Sequence, residues 1–171
     1  IPGIELVDDL DAVLAQKLFT LNGAHAAAAY WGYLKGYETI DEAMGDPDIS
    51  ELVQGLMEEV SSVIVSNYPS IGSGAQQAFG EKTLRRFMNP YLKDEPARVG
   101  RDPQRKLAAA DRLLRPAIMA MEAGDTPANI NMAIVGGFLF DNPADSQAVE
   151  VGRMVERSGV TAAVVAVTGL Q

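Results

Sequence analysis

Lys17, Asn22 and His25 stand close together in the stretch KLFTLNGAHAAAAYWG, residues 17–32, among alanines and aromatics. The apolar spacing is helical. At about 100° per residue, Asn22 lies about 140° round the helix from Lys17, and His25 about 80°. His25 is therefore expected between the other two. Along the axis Asn22 is ~7.5 Å and His25 ~12 Å from Lys17, so an extended ligand of several carbons can meet each in turn. Gly23 is expected to let a ligand approach the backbone closely. The plainer alternative is that Lys17 snorkels from an apolar face and His25 is a hydrogen-bonded core residue. Spacing alone leaves both readings open.

Other chemistries are poorly served. The chain has one histidine and no cysteine, so a three-ligand zinc site of the usual type is not expected, and no metal is expected. No serine sits in a GxSxG context, and there is no Walker motif. GSGAQQ, residues 72–77, is half of a dinucleotide fingerprint without its third glycine or a preceding strand. A formal charge of −9 disfavours nucleic acid and anionic membrane as partners. The segment from Glu81 to Lys106 is the exception, with eight basic residues against four acidic ones. Any anion site is expected there. Arg98, Arg101 and Arg105 are the candidates, since guanidinium forks grip phosphate oxygens. Arg101 and Arg105 share a face if their helix starts early enough. Lys82, Arg85 and Arg86 are expected to be structural.

The elements that must position these groups read as helices. The spacing predicts a long first helix from Asp8 or Asp9 to near Gly36 and a capping box at Thr39 and Glu42. Further helices are expected over 49–67 and up to the residues before Pro90. The segment NPYLKDEPARVGRDP reads as an ordered loop or broken helix. A helix with Pro103 just inside its start follows, kinked by Pro116. Two more come after it, and the tail VTAAVVAVTGL is open between strand and helix. Glu58 and Glu59 read as an exposed face, or as partners of the basic cluster. Tyr30, Trp31 and Tyr33 read as core. The expectation is one mainly α domain over 1–171. No apolar run reaches membrane-spanning length, and the start lacks the features of a signal peptide. With no cysteine, a cytoplasmic location is expected. The missing initiator methionine suggests a piece of a longer chain.

Two stretches carry a family likeness. KLFTLNGAHAAAAYWGYLKGYETIDEAM and RRFMNPYLKDEPARVGRDPQRKLAAADRL resemble the carboxy-terminal domain of the mannitol-1-phosphate 5-dehydrogenases, a branch of the long-chain polyol dehydrogenase family. IPGIEL resembles the segment that leads into that domain. The likeness weakens after about residue 125. Lys-x4-Asn-x2-His is the family's catalytic pattern, filled here by Lys17, Asn22 and His25.

The resemblance implies a helical fold like the carboxy-terminal domain of 6-phosphogluconate dehydrogenase. It also implies an amino-terminal Rossmann domain, absent from this chain, that binds NAD. The implied reaction interconverts D-mannitol 1-phosphate and D-fructose 6-phosphate without a metal. Lys17 would be the general base, Asn22 would donate to the reacting oxygen, and His25 would hold the substrate. Arg98 and Lys106 would reach the sugar hydroxyls or the phosphate. A useful base titrates near ~7–8, a shift of roughly 3 units and about 4 kcal/mol for lysine. The apolar stripe is expected to supply the desolvation. By itself the chain is expected to be inactive. Rival readings are a dehydrogenase of unphosphorylated polyols or hexuronates, and a non-catalytic helical interaction module.

Overall fold

The computed structural model describes residues 7–170. The first helix forms as the spacing predicts, but in three parts. They are α1 (Leu10–Ala15), a π-helical segment π1 (Gln16–Gly23) and α2 (Ala24–Leu34), with no break in the rod. Asp9 starts it by accepting from the Ala12 amide, 2.9 Å away. Then follow α3 (Ile40–Met44), α4 (Pro47–Asn67), α5 (Ser73–Phe87), α6 (Pro96–Val99) and α7 (Pro103–Lys106). The chain ends with α8 (Leu114–Glu122), α9 (Ala128–Leu139) and α10 (Ser146–Thr168). No strand occurs among the described residues, so the β-branched tail resolves as helix. Non-helical backbone at Gly159 (φ 79°, ψ 164°) divides α10 in two.

The apolar face of α2 extends almost all the way round. Ala24, Ala26 to Ala29 and Tyr30 are essentially inaccessible to water. A helix apolar on every side must be central, and α3, α4, α6 and α9 pack around this one. Close approach of α9 depends on Gly137. A Cβ there would lie 2.9 Å from Leu107 and 3.0 Å from the Tyr30 ring. Tyr30 and Tyr33 pack on Phe140, with centroids 5.4 and 4.7 Å apart. The Trp31 indole donates to the Met132 carbonyl at 3.0 Å. Tyr30 is core, while Trp31 and Tyr33 are partly buried and pack against it.

Polar groups fix the helix ends. Thr39 and Glu42 form the expected capping box. Glu59 has neither of the roles read from sequence. Its carboxylate accepts from the amides of Asn129 and Ile130 and the Asn129 side chain, at 2.8–2.9 Å, and so caps α9. Glu59→Ala is expected to destabilise the fold by about 1–2 kcal/mol, measured by urea denaturation. An unchanged midpoint would show that water replaces the cap at no cost.

The expected helix beginning at Pro103 differs from the reading. It stops at Lys106 and resumes at Leu114. Pro116 therefore falls in the first turn of α8, where no N–H is needed, and makes no kink. The turn between is tied by the Ala109 amide, which donates to the Thr168 carbonyl at 3.1 Å.

Candidate functional site

The π-helical segment changes the geometry of the three candidate residues. In a turn closed by i→i+5 bonds, residues five apart come round to nearly the same side. Lys17 and Asn22 are five apart and both lie in π1. They are therefore much closer to one face than the α-helical angle of about 140° allows. Such segments are rare and often mark functional sites.

Lys17 is exposed, while Asn22 and His25 are half-buried. The apolar stripe that precedes Lys17 is itself open to water, with Leu10 61%, Val13 38% and Leu14 53% exposed. The expected desolvation of Lys17 by its own helix is thus not present. Apolar residues remove water only where another surface covers them. The expectation for Gly23 also changes. A Cβ there would sit 2.9 Å from the carbonyl oxygen of Arg112, so the close approach is made by the chain's own backbone.

His25 turns toward the basic segment. Its Nε2 lies 3.3 Å from Asp94 Oδ2, and its ring stacks on Phe87 with centroids 4.9 Å apart. Burial lowers its pKa to about 4, Asp94 opposes the shift, and Arg86, Arg98 and Lys106 reinforce it. His25 is neutral near pH 7 as a result. Asp94 also pairs with Arg98 through its other oxygen. The carboxylate is bonded to Arg98 of α6 and only adjacent to His25 of α2, whose buried Nε2 has no hydrogen-bond partner among the described residues. Sequence reading counted Asp94 only as a charge in the window. Its i,i+4 spacing to Arg98 was the available signal.

Lys106 is 6% exposed. Its ammonium donates to the carbonyls of Val99, at 2.6 Å, and Arg101. Burial, with Arg112 and Arg105 nearby, lowers its pKa to about 8. Arg101 and Arg105 are less constrained. Arg101 is exposed and donates to the Arg98 carbonyl at 3.2 Å. The Arg105 guanidinium makes only long contacts, 3.6 Å to Asp102 and 3.9 Å to Asp111. The two do not share a helical face, since Asp102 between them is left-handed (φ 59°) and α7 begins at Pro103. Arg112, which sequence reading passed over, is largely buried and donates to Asp111 at 2.7 Å.

The structure therefore brings His25, Asp94 and Arg98 into contact, with Lys106 close enough to act on His25. No group of three or more His, Cys, Asp or Glu side chains suited to a metal ion occurs among the described residues. Among the same residues, no helix is long and apolar enough to cross a membrane.

Residues 9–164 match the family model described as "Mannitol dehydrogenase C-terminal domain", and the chain belongs to that family. It is 46% identical, over its full length, to the mannitol-1-phosphate 5-dehydrogenase of Caldanaerobacter subterraneus subsp. tengcongensis. Identity to the enzyme of the same name from Thermoanaerobacter pseudethanolicus is 44%. In both cases the chain spans 44% of the relative's length. Among solved structures, mannitol 2-dehydrogenase of Pseudomonas fluorescens, in ternary complex with NAD and D-mannitol, aligns over 90% of this chain and 32% of its own. The TM-score is 0.74 and the identity 22%. A substrate-free D-sorbitol dehydrogenase aligns over 95% of this chain and 42% of its own, with TM-score 0.68 and 17% identity. These two likenesses are of fold.

Proposed function

We propose that this chain is the carboxy-terminal, substrate-binding and catalytic domain of an NAD-dependent dehydrogenase that interconverts D-mannitol 1-phosphate and D-fructose 6-phosphate. The observation that carries the reading is the clustering of neutral His25, its buried Nε2 without a hydrogen-bond partner among the described residues, beside the Asp94–Arg98 pair and buried Lys106, at the end of a π-helical segment bearing Lys17 and Asn22. The shared names of the two relatives at 46% and 44% identity support it.

The described residues do not build a dinucleotide site. GSGAQQ runs into α5 from a loop, with no strand before it. The cofactor's place is therefore assigned to an amino-terminal Rossmann domain of the longer protein. NAD held there would supply the hydride acceptor. That domain also covers the exposed Leu10, Val13 and Leu14 and so closes apolar surface around Lys17. Lys17 takes the hydroxyl proton of the substrate. Asn22, brought to the same side by the π turn, donates to the oxygen as negative charge develops. His25, uncharged, hydrogen-bonds a substrate hydroxyl, and no metal is required by these roles. The domain is taken as one unit over 1–171, in a cytoplasmic enzyme.

The phosphate falls to the loosely held guanidinia. In the full-length protein, Arg101→Ala and Arg105→Ala are each expected to raise KM for mannitol 1-phosphate by about tenfold or more, since a charge-assisted hydrogen bond is worth about 1.5–3 kcal/mol. Both should leave the poor turnover on mannitol as it was. The decisive comparison is NAD-dependent oxidation of the two substrates by the wild type. Equal kcat/KM for mannitol and mannitol 1-phosphate would overturn the phosphorylated-substrate assignment.

A further inference from the structure

An eight-residue π segment needs support from outside itself. Longer π helices are rare because the α-helical alternative is better bonded. Besides the packing of Phe19 and Gly23, one buried polar side chain supplies such support. Gln76 of α5 is 1% exposed. Its carbonyl oxygen accepts from the Gln16 side chain at 3.0 Å. Its amide group donates to the Thr20 hydroxyl at 3.0 Å and to Ser61 of α4 at 3.1 Å. Gln16 and Thr20 bracket the first turn of π1, and Lys17 follows Gln16 directly. Both amide hydrogens of Gln76 are thus used, and the carbonyl is engaged. Thr20 is fully buried, so the loss of its partner cannot be made good by bulk water. GSGAQQ, half of a dinucleotide fingerprint by its residues, opens α5 and delivers this residue.

We propose that Gln76 is a positioning residue that holds π1 in its i→i+5 register and so keeps Lys17 and Asn22 on one side. The inference rests on the catalytic reading of Lys17 given above. If π1 relaxes toward an α-helix, the two side chains return to about 140° apart and cannot serve one oxygen. Substrate contacts from the basic segment do not depend on π1. Loss of the register should therefore appear in kcat and leave KM nearly unchanged.

The test is steady-state kinetics of the full-length enzyme with NAD and mannitol 1-phosphate, on variants whose circular dichroism matches the wild type. Thr20→Val removes one hydroxyl from the π side of the network at nearly constant volume. Its kcat is expected to fall tenfold to a hundredfold, the scale of a misplacement of about 1 Å, with KM within about threefold. Thr20→Ser, which keeps the hydroxyl, should restore most of kcat. Ser61→Ala removes an equivalent hydrogen bond from the same carboxamide on the α4 side, and should keep wild-type kcat. Gln76→Leu should reproduce Thr20→Val. Wild-type kcat in both Thr20→Val and Gln76→Leu, beside an inactive Lys17→Ala, overturns the inference and leaves the base assignment intact. An equal loss in Ser61→Ala overturns it too, because it marks general loosening of the core. An active Lys17→Ala removes the base assignment, and the inference with it.

Discussion

Replacing Lys17 by alanine in the full-length protein is expected to lower kcat by roughly 10²–10⁴-fold, the usual share of a positioned general base. KM for mannitol 1-phosphate should change little. The exposed position of Lys17 makes this a clean experiment, since an exposed side chain removed from a helix costs little stability. Alanine, moreover, is the best helix former. Circular dichroism and the melting temperature should match the wild type, so that lost turnover is not lost fold. Partial recovery of rate with added methylamine would place the missing group at the reacting hydroxyl. Turnover within twofold of wild type would take Lys17 out of the chemistry altogether.

The second large effect is expected at Lys106. Its ammonium is buried, held by two carbonyls, and its pKa is lowered to about 8 by burial and by the neighbouring Arg112 and Arg105. If this cation binds the substrate, KM for mannitol 1-phosphate rises as the pH is raised through about 8 and the charge is lost. Lys106→Met should raise KM by roughly thirtyfold or more, the lower end of the cost of removing one partner of a buried charged pair. It should also abolish that pH dependence. A KM near wild type in the variant would assign Lys106 to structure alone. The effect on stability has the opposite sense. The unfolded chain holds this proton more tightly than the folded one, so between pH ~8 and ~10.4 the folded state gains stability as pH rises. The methionine variant should lack that rise.

The helical architecture was largely readable in the sequence, because periodicity reports which residues need burial. What it does not report is what does the burying. Leu10, Val13 and Leu14 gave the right stripe and the wrong environment, being open to water beside Lys17. Gly23 was rightly marked as a site of close approach, but the approaching group is the Arg112 backbone, some ninety positions away. The break after Lys106 escaped because Leu107 and Leu114 fit a continuous helical stripe, while the bond from Ala109 to Thr168 that ends it is long-range.

The site was legible in residue type and less so in arrangement. Lys17, Asn22 and His25 were marked by spacing, but the angles assumed an α-helix throughout. The π register depends on Gln76, sixty residues from Gln16, and local pattern carries no trace of it. Asp94 was hidden for a related reason. Its spacing to Arg98 suggests a routine surface pair, and only the fold brings His25 to its other oxygen.

The burial of α2 constrains how such a domain can diverge. Ala24 and Ala26 to Ala29 have no free space beside their methyl groups, and added methylenes in a packed core cost about 1–3 kcal/mol each. The helix carrying His25 is in effect closed to gradual enlargement. Arg98, Arg101, Arg105 and the exposed Tyr91 and Leu92 are under no such restriction. A lineage derived from this domain can therefore explore new substrates by altering the basic segment and its loop, one residue at a time, while the central helix passes through unaltered.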